Sequence, residues 1–245
     1  MPTFGAAQTS RHPGGRKSVP PCVVYANVLR GYHCHLTSAM TDCITIVSGL
    51  PRSGTSLLMQ MLAMGGMRIL SDSARRADAD NPLGYFECER VKHLASDSDW
   101  LSQAAGMAVK VISPLITKLP ARFEYKVIFL LRAMSEILSS QRQMLASRGE
   151  PIAVDDAAMA TAFADHLAET LQWISRQPNM QLLPISHRRC IADPDGVSAE
   201  IKAFLNRPLD VRRMAATVDP ALYRQRSPDG LNGSRGADTP PRGHL

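Results

Sequence analysis

The stretch from Ile44 to Leu58, ITIVSGLPRSGTSLL, places a β-branched strand, a loop bounded by Gly49 and Gly54, and an amphipathic helix in immediate succession. A loop of this kind turns backbone N–H groups inward and adds the positive end of the following helix, so it binds an anionic group. Gly54 gives the backbone room for close approach, and the hydroxyls of Ser53, Thr55 and Ser56 can donate to the anion. A strand-to-helix turn that needs glycine only for its geometry is the plainer alternative. In nucleotide triphosphatases the loop ends Gly-Lys-Ser/Thr, with the lysine on the β/γ-phosphates and the hydroxyl on magnesium. Here Thr55 stands at the lysine position, and the cation is Arg52, three positions earlier and inside the loop. The acidic residue that closes an apolar strand and supports magnesium is also missing, because the best strand, VIFLL, runs into Arg132. ATP or GTP hydrolysis is therefore disfavoured.

These residues need a scaffold that brings strand ends together. Apolar strand candidates at 43–48, 67–70, 107–112, 126–131 and 181–185 alternate with helix candidates at about 55–65, 134–147, 154–176 and 195–205. The helix over 154–176 puts Phe163, Leu167, Leu171 and Ile174 on one stripe, and that over 195–205 uses Val197, Ile201, Phe204 and Leu205. Alternation of this kind predicts an α/β domain, a three-layer P-loop-type fold with a central parallel sheet flanked by helices.

The loop Pro51-Arg52-Ser53-Gly54-Thr55-Ser56 resembles that of the sulfotransferase superfamily, which reads Pro-Lys/Arg-Ser-Gly-Thr-Thr/Ser. A second family element is a strand ending in Arg with Ser eight residues later on a helix, and VIFLLR followed by AMSEILSS sets Arg132 and Ser140 at that spacing. An arginine fork at a strand end and a hydroxyl two helical turns on can converge on one phosphate. ISHRRCIADPDGVSAEIKAFLN is similar to the family's late segment, with His187 where tyrosine is usual. The likeness spans about residues 43–207 and is nearest to short bacterial sulfotransferase-like proteins, which also carry segments like DNPLGYFE at 80–87 and DPALYR at 219–224.

The resemblance implies binding of 3′-phosphoadenosine 5′-phosphosulfate (PAPS) as co-substrate, with no metal required. Arg52, Ser53, Gly54, Thr55 and Ser56 would take the 5′-phosphosulfate, Arg132 and Ser140 the 3′-phosphate, and His187 would stack on adenine unless it is a strand-end histidine without a ligand. Sulfuryl transfer to a hydroxyl or amine requires a cation at the leaving oxygen and a base for the nucleophile's proton. Arg52 suits the first task, and Lys110, closing MAVK, is similar to the lysine of the family's Lys-Thr-His segment. That segment's histidine base is absent, since Ile112 and Ser113 stand there. A carboxylate is the nearest substitute. Asp72 is the first choice, because tyrosine-sulfating relatives carry a glutamate about 20 residues after the loop cation; Glu87 is the second, with Glu89 behind it. Either is alternatively a helix cap or a solvated partner of Arg75, Arg76 or Arg90. His93 is ambiguous, His166 reads as packing or surface, and Trp100 and Trp173 read as core or pocket rim.

The whole chain agrees with this class. Its 245 residues include 44% apolar residues, enough for a sizeable core, so a fibrous or wholly disordered protein is excluded. No apolar run approaches the ~20 residues of a membrane span, and no secretory signal is evident, so a cytoplasmic location is expected. The net charge of +6 is uneven: residues 1–39 carry +4 and 226–245 carry +1, leaving a nearly neutral body that implies no nucleic-acid partner. Residues 1–39 and 226–245 are expected to be poorly ordered, with 40–225 as the domain and Met40 as an alternative translation start. Five scattered cysteines read as free thiols, and His33-Cys34-His35 cannot close a tetrahedral metal site alone. A small-molecule or glycan acceptor is expected, and homodimerisation stays open. Two rivals remain, an ATP-dependent small-molecule phosphotransferase and a non-catalytic nucleotide-binding module of the same fold.

Overall fold

The computed structural model describes residues 43–72, 84–151 and 155–222. Both expected tails, the His33-Cys34-His35 cluster, Arg75 and Arg76 lie outside these residues. In the described part, β1 (Ile44–Gly49) leads into α1 (Thr55–Met64), followed by 3₁₀ turns at Glu89–His93 and Asp99–Ala104. Next come β2 (Ala108–Lys110), α2 (Ser113–Ile116), β3 (Tyr125–Leu131), α3 (Met134–Arg148) and α4 (Asp156–Ser175). Then β4 (Met180–Ser186), α5 (His187–Ala192), α6 (Pro194–Leu205), α7 (Val211–Ala215) and a last 3₁₀ turn at Pro220–Leu222 complete it.

The strands form one parallel sheet in the order β2-β1-β3-β4. Alternating side chains of β1 and β3 send Val47, Ile128 and Leu130 to one face, where Leu58, Met61 and Leu62 of α1, Val197, Ile201 and Leu205 of α6, and Met214 of α7 close over them. Helix α4 packs on β4 and against α2 and α3, making the second helical layer. Burial on both faces explains why β1 and β3 read as near-continuous apolar runs. Each fully covered aliphatic side chain contributes about 1.5–3 kcal/mol.

The helix ends follow local chemistry. Asp155 caps α4 by accepting from the backbone N–H groups of Ala157 and Ala158 at 3.0 and 3.3 Å. Asp193 caps α6 through the N–H of Gly196, with Pro194 in the first turn, and Gly149 closes α3 in the left-handed conformation.

Two expectations are corrected. The strand expected at 67–70 reduces to a single parallel bridge between Ile69 and Ala108, because its neighbour β2 is only three residues long. The strand expected at 107–112 spans only Ala108–Lys110, although the Val111 N–H still donates to the Val47 carbonyl at 3.0 Å. Cys43, Cys88 and Cys190 are free thiols, as expected, and burial pushes that of Cys190 up to about 12.

Candidate functional site

All four strands deliver a site residue at their carboxyl ends: Gly49 ends β1, Lys110 ends β2, Arg132 follows β3 and His187 follows β4. The strand order reverses at β1, whose neighbours β2 and β3 both come later in the chain. Ligands of open parallel sheets bind in the crevice outside the strand ends at such a point.

The loop after β1 is tightly turned. Ser53 N–H returns to the Leu50 carbonyl at 3.1 Å, and Arg52 holds a φ of 68°, a left-handed conformation uncommon for a non-glycine residue. Gly54 has a φ of 98°, and a Cβ there would fall on the ring of His187. A Cβ on Gly49 would lie 2.7 Å from the Leu130 carbonyl oxygen. Only glycine fits both positions. Ser53 is fully buried, and its hydroxyl has no partner among the described residues. A buried hydroxyl is ordinarily satisfied, so this one fits a site built for an acceptor oxygen.

Arg52 joins the loop to α3: its Nε donates to Ser140 Oγ at 3.0 Å, while its own carbonyl accepts from Arg132 Nη1 at 3.0 Å. The expected Arg132–Ser140 pair is thus brought to one place through Arg52. Arg132 Nε donates to Glu136 Oε2 at 2.9 Å, and both side chains are nearly buried, 10% and 7% exposed. Glu136 escaped the sequence reading; its only signal is an acidic residue four positions after an arginine at the start of a helix.

His187, immediately after the last residue of β4, opens α5 and is only 6% exposed, with its ring edge against Gly54. Burial lowers its pKa to about 4; the nearby Arg132 guanidinium adds to the effect and Glu136 opposes it. The imidazole is neutral at pH 7.

On the other side of the loop, Lys110 is 8% exposed, and its Nζ donates to Ser56 Oγ at 3.2 Å and to the Tyr85 carbonyl at 2.9 Å. Glu87 Oε1 lies 3.5 Å from the same ammonium. Between Tyr85 and Glu87, Phe86 has a φ of 52°, so the segment carries backbone strain where both neighbours meet the lysine. Asp72 sits differently. Its Oδ2 accepts from the backbone N–H of Glu89, and its own N–H donates to the Glu87 carbonyl at 3.3 Å, which ties 71–72 to 87–89. The Asp72 carboxylate thus serves as a backbone acceptor at the first residue of the 3₁₀ turn Glu89–His93. Glu89 pairs with Lys92 at 2.7 Å, His93 is exposed and Trp100 is core. His166 Nε2 meets Ser113 Oγ at 3.0 Å, just beyond the end of β2. Among the described residues, no three His, Cys, Asp or Glu side chains are grouped to hold a metal ion, and no helix is long and apolar enough to cross a membrane.

A family model described as a sulfotransferase domain matches residues 42–227, and the chain belongs to that family, whose members transfer sulfuryl groups. No curated protein matches the chain significantly. Among solved structures, the sulfotransferase domain from the curacin biosynthetic pathway is similar at 16% identity and a TM-score of 0.48, with 76% of this chain and 92% of that one covered. Sulfotransferase STF9 from Mycobacterium avium is similar at 15% identity and a TM-score of 0.47, with 79% and 70% covered. Mouse sulfotransferase SULT7A1, solved in complex with PAP, is similar at 18% identity and a TM-score of 0.42, with 74% and 63% covered.

Proposed function

We propose that this sulfotransferase-family domain takes PAPS as sulfuryl donor across the carboxyl edge of its sheet and passes the group to a hydroxyl or amine of a small-molecule or glycan acceptor. The observation that carries this reading is the joining of the loop to Arg132 and Ser140 through Arg52, because one nucleotide with phosphates at both ends needs both places at once. The fully buried Ser53 hydroxyl supports a phosphate or sulfate oxygen in the loop, with Gly54, Thr55 and Ser56 lining the helix end. Arg132 and Ser140 receive the 3′-phosphate. His187 serves the nucleotide side by bracing Gly54, and its burial makes this support a better account than an open face for adenine.

In the transfer, the bond from sulfur to the phosphate oxygen breaks as the acceptor oxygen or nitrogen bonds to sulfur, leaving 3′,5′-adenosine diphosphate. Arg52 neutralises the leaving oxygen, and Lys110, placed on Ser56, meets the charge of the moving group. Glu87 takes the acceptor's proton, since its carboxylate lies beside Lys110, whereas the Asp72 carboxylate is engaged by the Glu89 N–H. The enzyme acts in the cytoplasm.

Calorimetric titration tests the reading. Metal-independent binding of 3′,5′-adenosine diphosphate, lost in Arg132→Ala, is expected; binding of ATP with magnesium alone would replace the reading with a phosphotransferase. A second reading, a nucleotide-binding module without turnover, is favoured by Ile112 and Ser113 at the position of the family's histidine. Bisphosphate binding without sulfuryl transfer to any of a broad panel of hydroxyl and amine acceptors would favour it.

A further inference from the structure

The pair Arg132–Glu136 poses a problem of charge. A carboxylate 2.9 Å from a phosphate-binding guanidinium, with both groups nearly buried, repels the anion that the arginine is there to hold. Buried ion pairs also contribute little net stability, because desolvation offsets their attraction. Geometry supplies a reason for the carboxylate. The guanidinium is held on two sides by two elements, at Nε by Glu136 from α3 and at Nη1 by the Arg52 carbonyl from the loop. Arg132, Glu136 and Ser140 follow one another at intervals of four residues, and Glu136 and Ser140 are both buried on the inner side of α3. The helix therefore grips Arg52 twice, directly through Ser140 and indirectly through Glu136 and Arg132.

We propose that Glu136 is the positioning residue of the nucleotide site, fixing the plane of Arg132 and thereby setting the preference for a nucleotide that bears a 3′-phosphate. This rests on the assignment of Arg132 and Ser140 to the 3′-phosphate in the preceding section. A fixed fork holds a phosphate in two parallel bonds, whereas an arginine free to rotate gives up that specificity.

The test measures dissociation constants for 3′,5′-adenosine diphosphate and 5′-adenosine monophosphate with the wild-type chain, Glu136→Gln and Glu136→Asp. The wild type prefers the bisphosphate. Glu136→Gln lowers that preference at least about tenfold while monophosphate affinity stays within about twofold, and Glu136→Asp, shorter but still charged, falls between. A preference unchanged or raised in Glu136→Gln, as relief of repulsion alone would give, overturns the proposal. If that variant does not fold, Glu136→Asp decides by itself, and an unchanged preference there overturns it equally. A wild type indifferent to the 3′-phosphate overturns the underlying assignment as well, which separates the two failures.

Discussion

The Nε of Arg52 donates to the hydroxyl of Ser140 at 3.0 Å, joining the loop after β1 to the inner side of α3 across 88 residues of sequence. Two motifs that the sequence presents separately are therefore one hydrogen-bonded unit. Ser140→Ala removes a partner of Arg52 as well as a donor for phosphate. Loss of one such bond at about 1 kcal/mol predicts weakening of 3′,5′-adenosine diphosphate binding by about fivefold to tenfold, measured by calorimetry. Unchanged affinity would detach Ser140 from the nucleotide.

How much of this was legible in advance depends on whether the signal was local. The loop could be read because residue type and spacing within one strand-loop-helix unit define it, whereas Arg132, Ser140 and Lys110 were marked by their resemblance to family motifs. Strands β1, β3 and β4 and the four long helices could be read because their cores are apolar and periodic. The segment 67–70 looked equally apolar, but strand formation needs a partner, and β2 offers only Ala108 to Ile69. Glu136 was hidden because an acidic residue in a first helical turn is ordinary; its meaning comes from burial beside Arg132. Asp72 ranked ahead of Glu87 only by its distance along the chain from the loop cation, and the approach of 71–72 to 87–89 gives each carboxylate a different neighbour.

Gly54→Ala probes the floor of the loop. The added methyl meets the His187 ring, and the φ of 98° is unfavourable for any side chain. Strain of this sort costs on the order of 1–3 kcal/mol, so the melting temperature falls by several degrees and nucleotide affinity falls with it. Adding His187→Ala removes the clash but leaves the backbone strain. Gly54→Ala is expected to lower the melting temperature less in the His187→Ala chain than in the wild type, and an equal drop in both would mean that the ring does not brace the loop.

The lysine side of the site separates chemistry from binding. Glu87→Gln lowers turnover by about a hundredfold or more while 3′,5′-adenosine diphosphate affinity stays within about threefold, the pattern of a lost proton acceptor. Asp72→Asn leaves turnover within about tenfold but lowers the melting temperature, because its carboxylate bonds the Glu89 N–H. The reverse pattern would transfer the base to Asp72. Lys110→Met lowers turnover and, by uncovering the Tyr85 carbonyl inside the fold, stability too.

The buried imidazole of His187 makes stability depend on pH in a definite direction. Its pKa falls from 6.5 to about 4 in the folded chain, chiefly through burial and next through Arg132. Between those values the unfolded chain binds more protons than the folded one, so stability rises with pH and is lost as pH falls from about 6.5 towards 4. The integrated effect is of order 3 kcal/mol. Urea unfolding of the wild type and of His187→Asn across pH 4–7.5 isolates it: the wild-type curve should drop more steeply below pH 6.5, and the difference between the two should level off above pH 7. Parallel curves would show that His187 is solvated or protonated in the folded protein, and the support it gives Gly54 would then have to come from a charged ring facing Arg132.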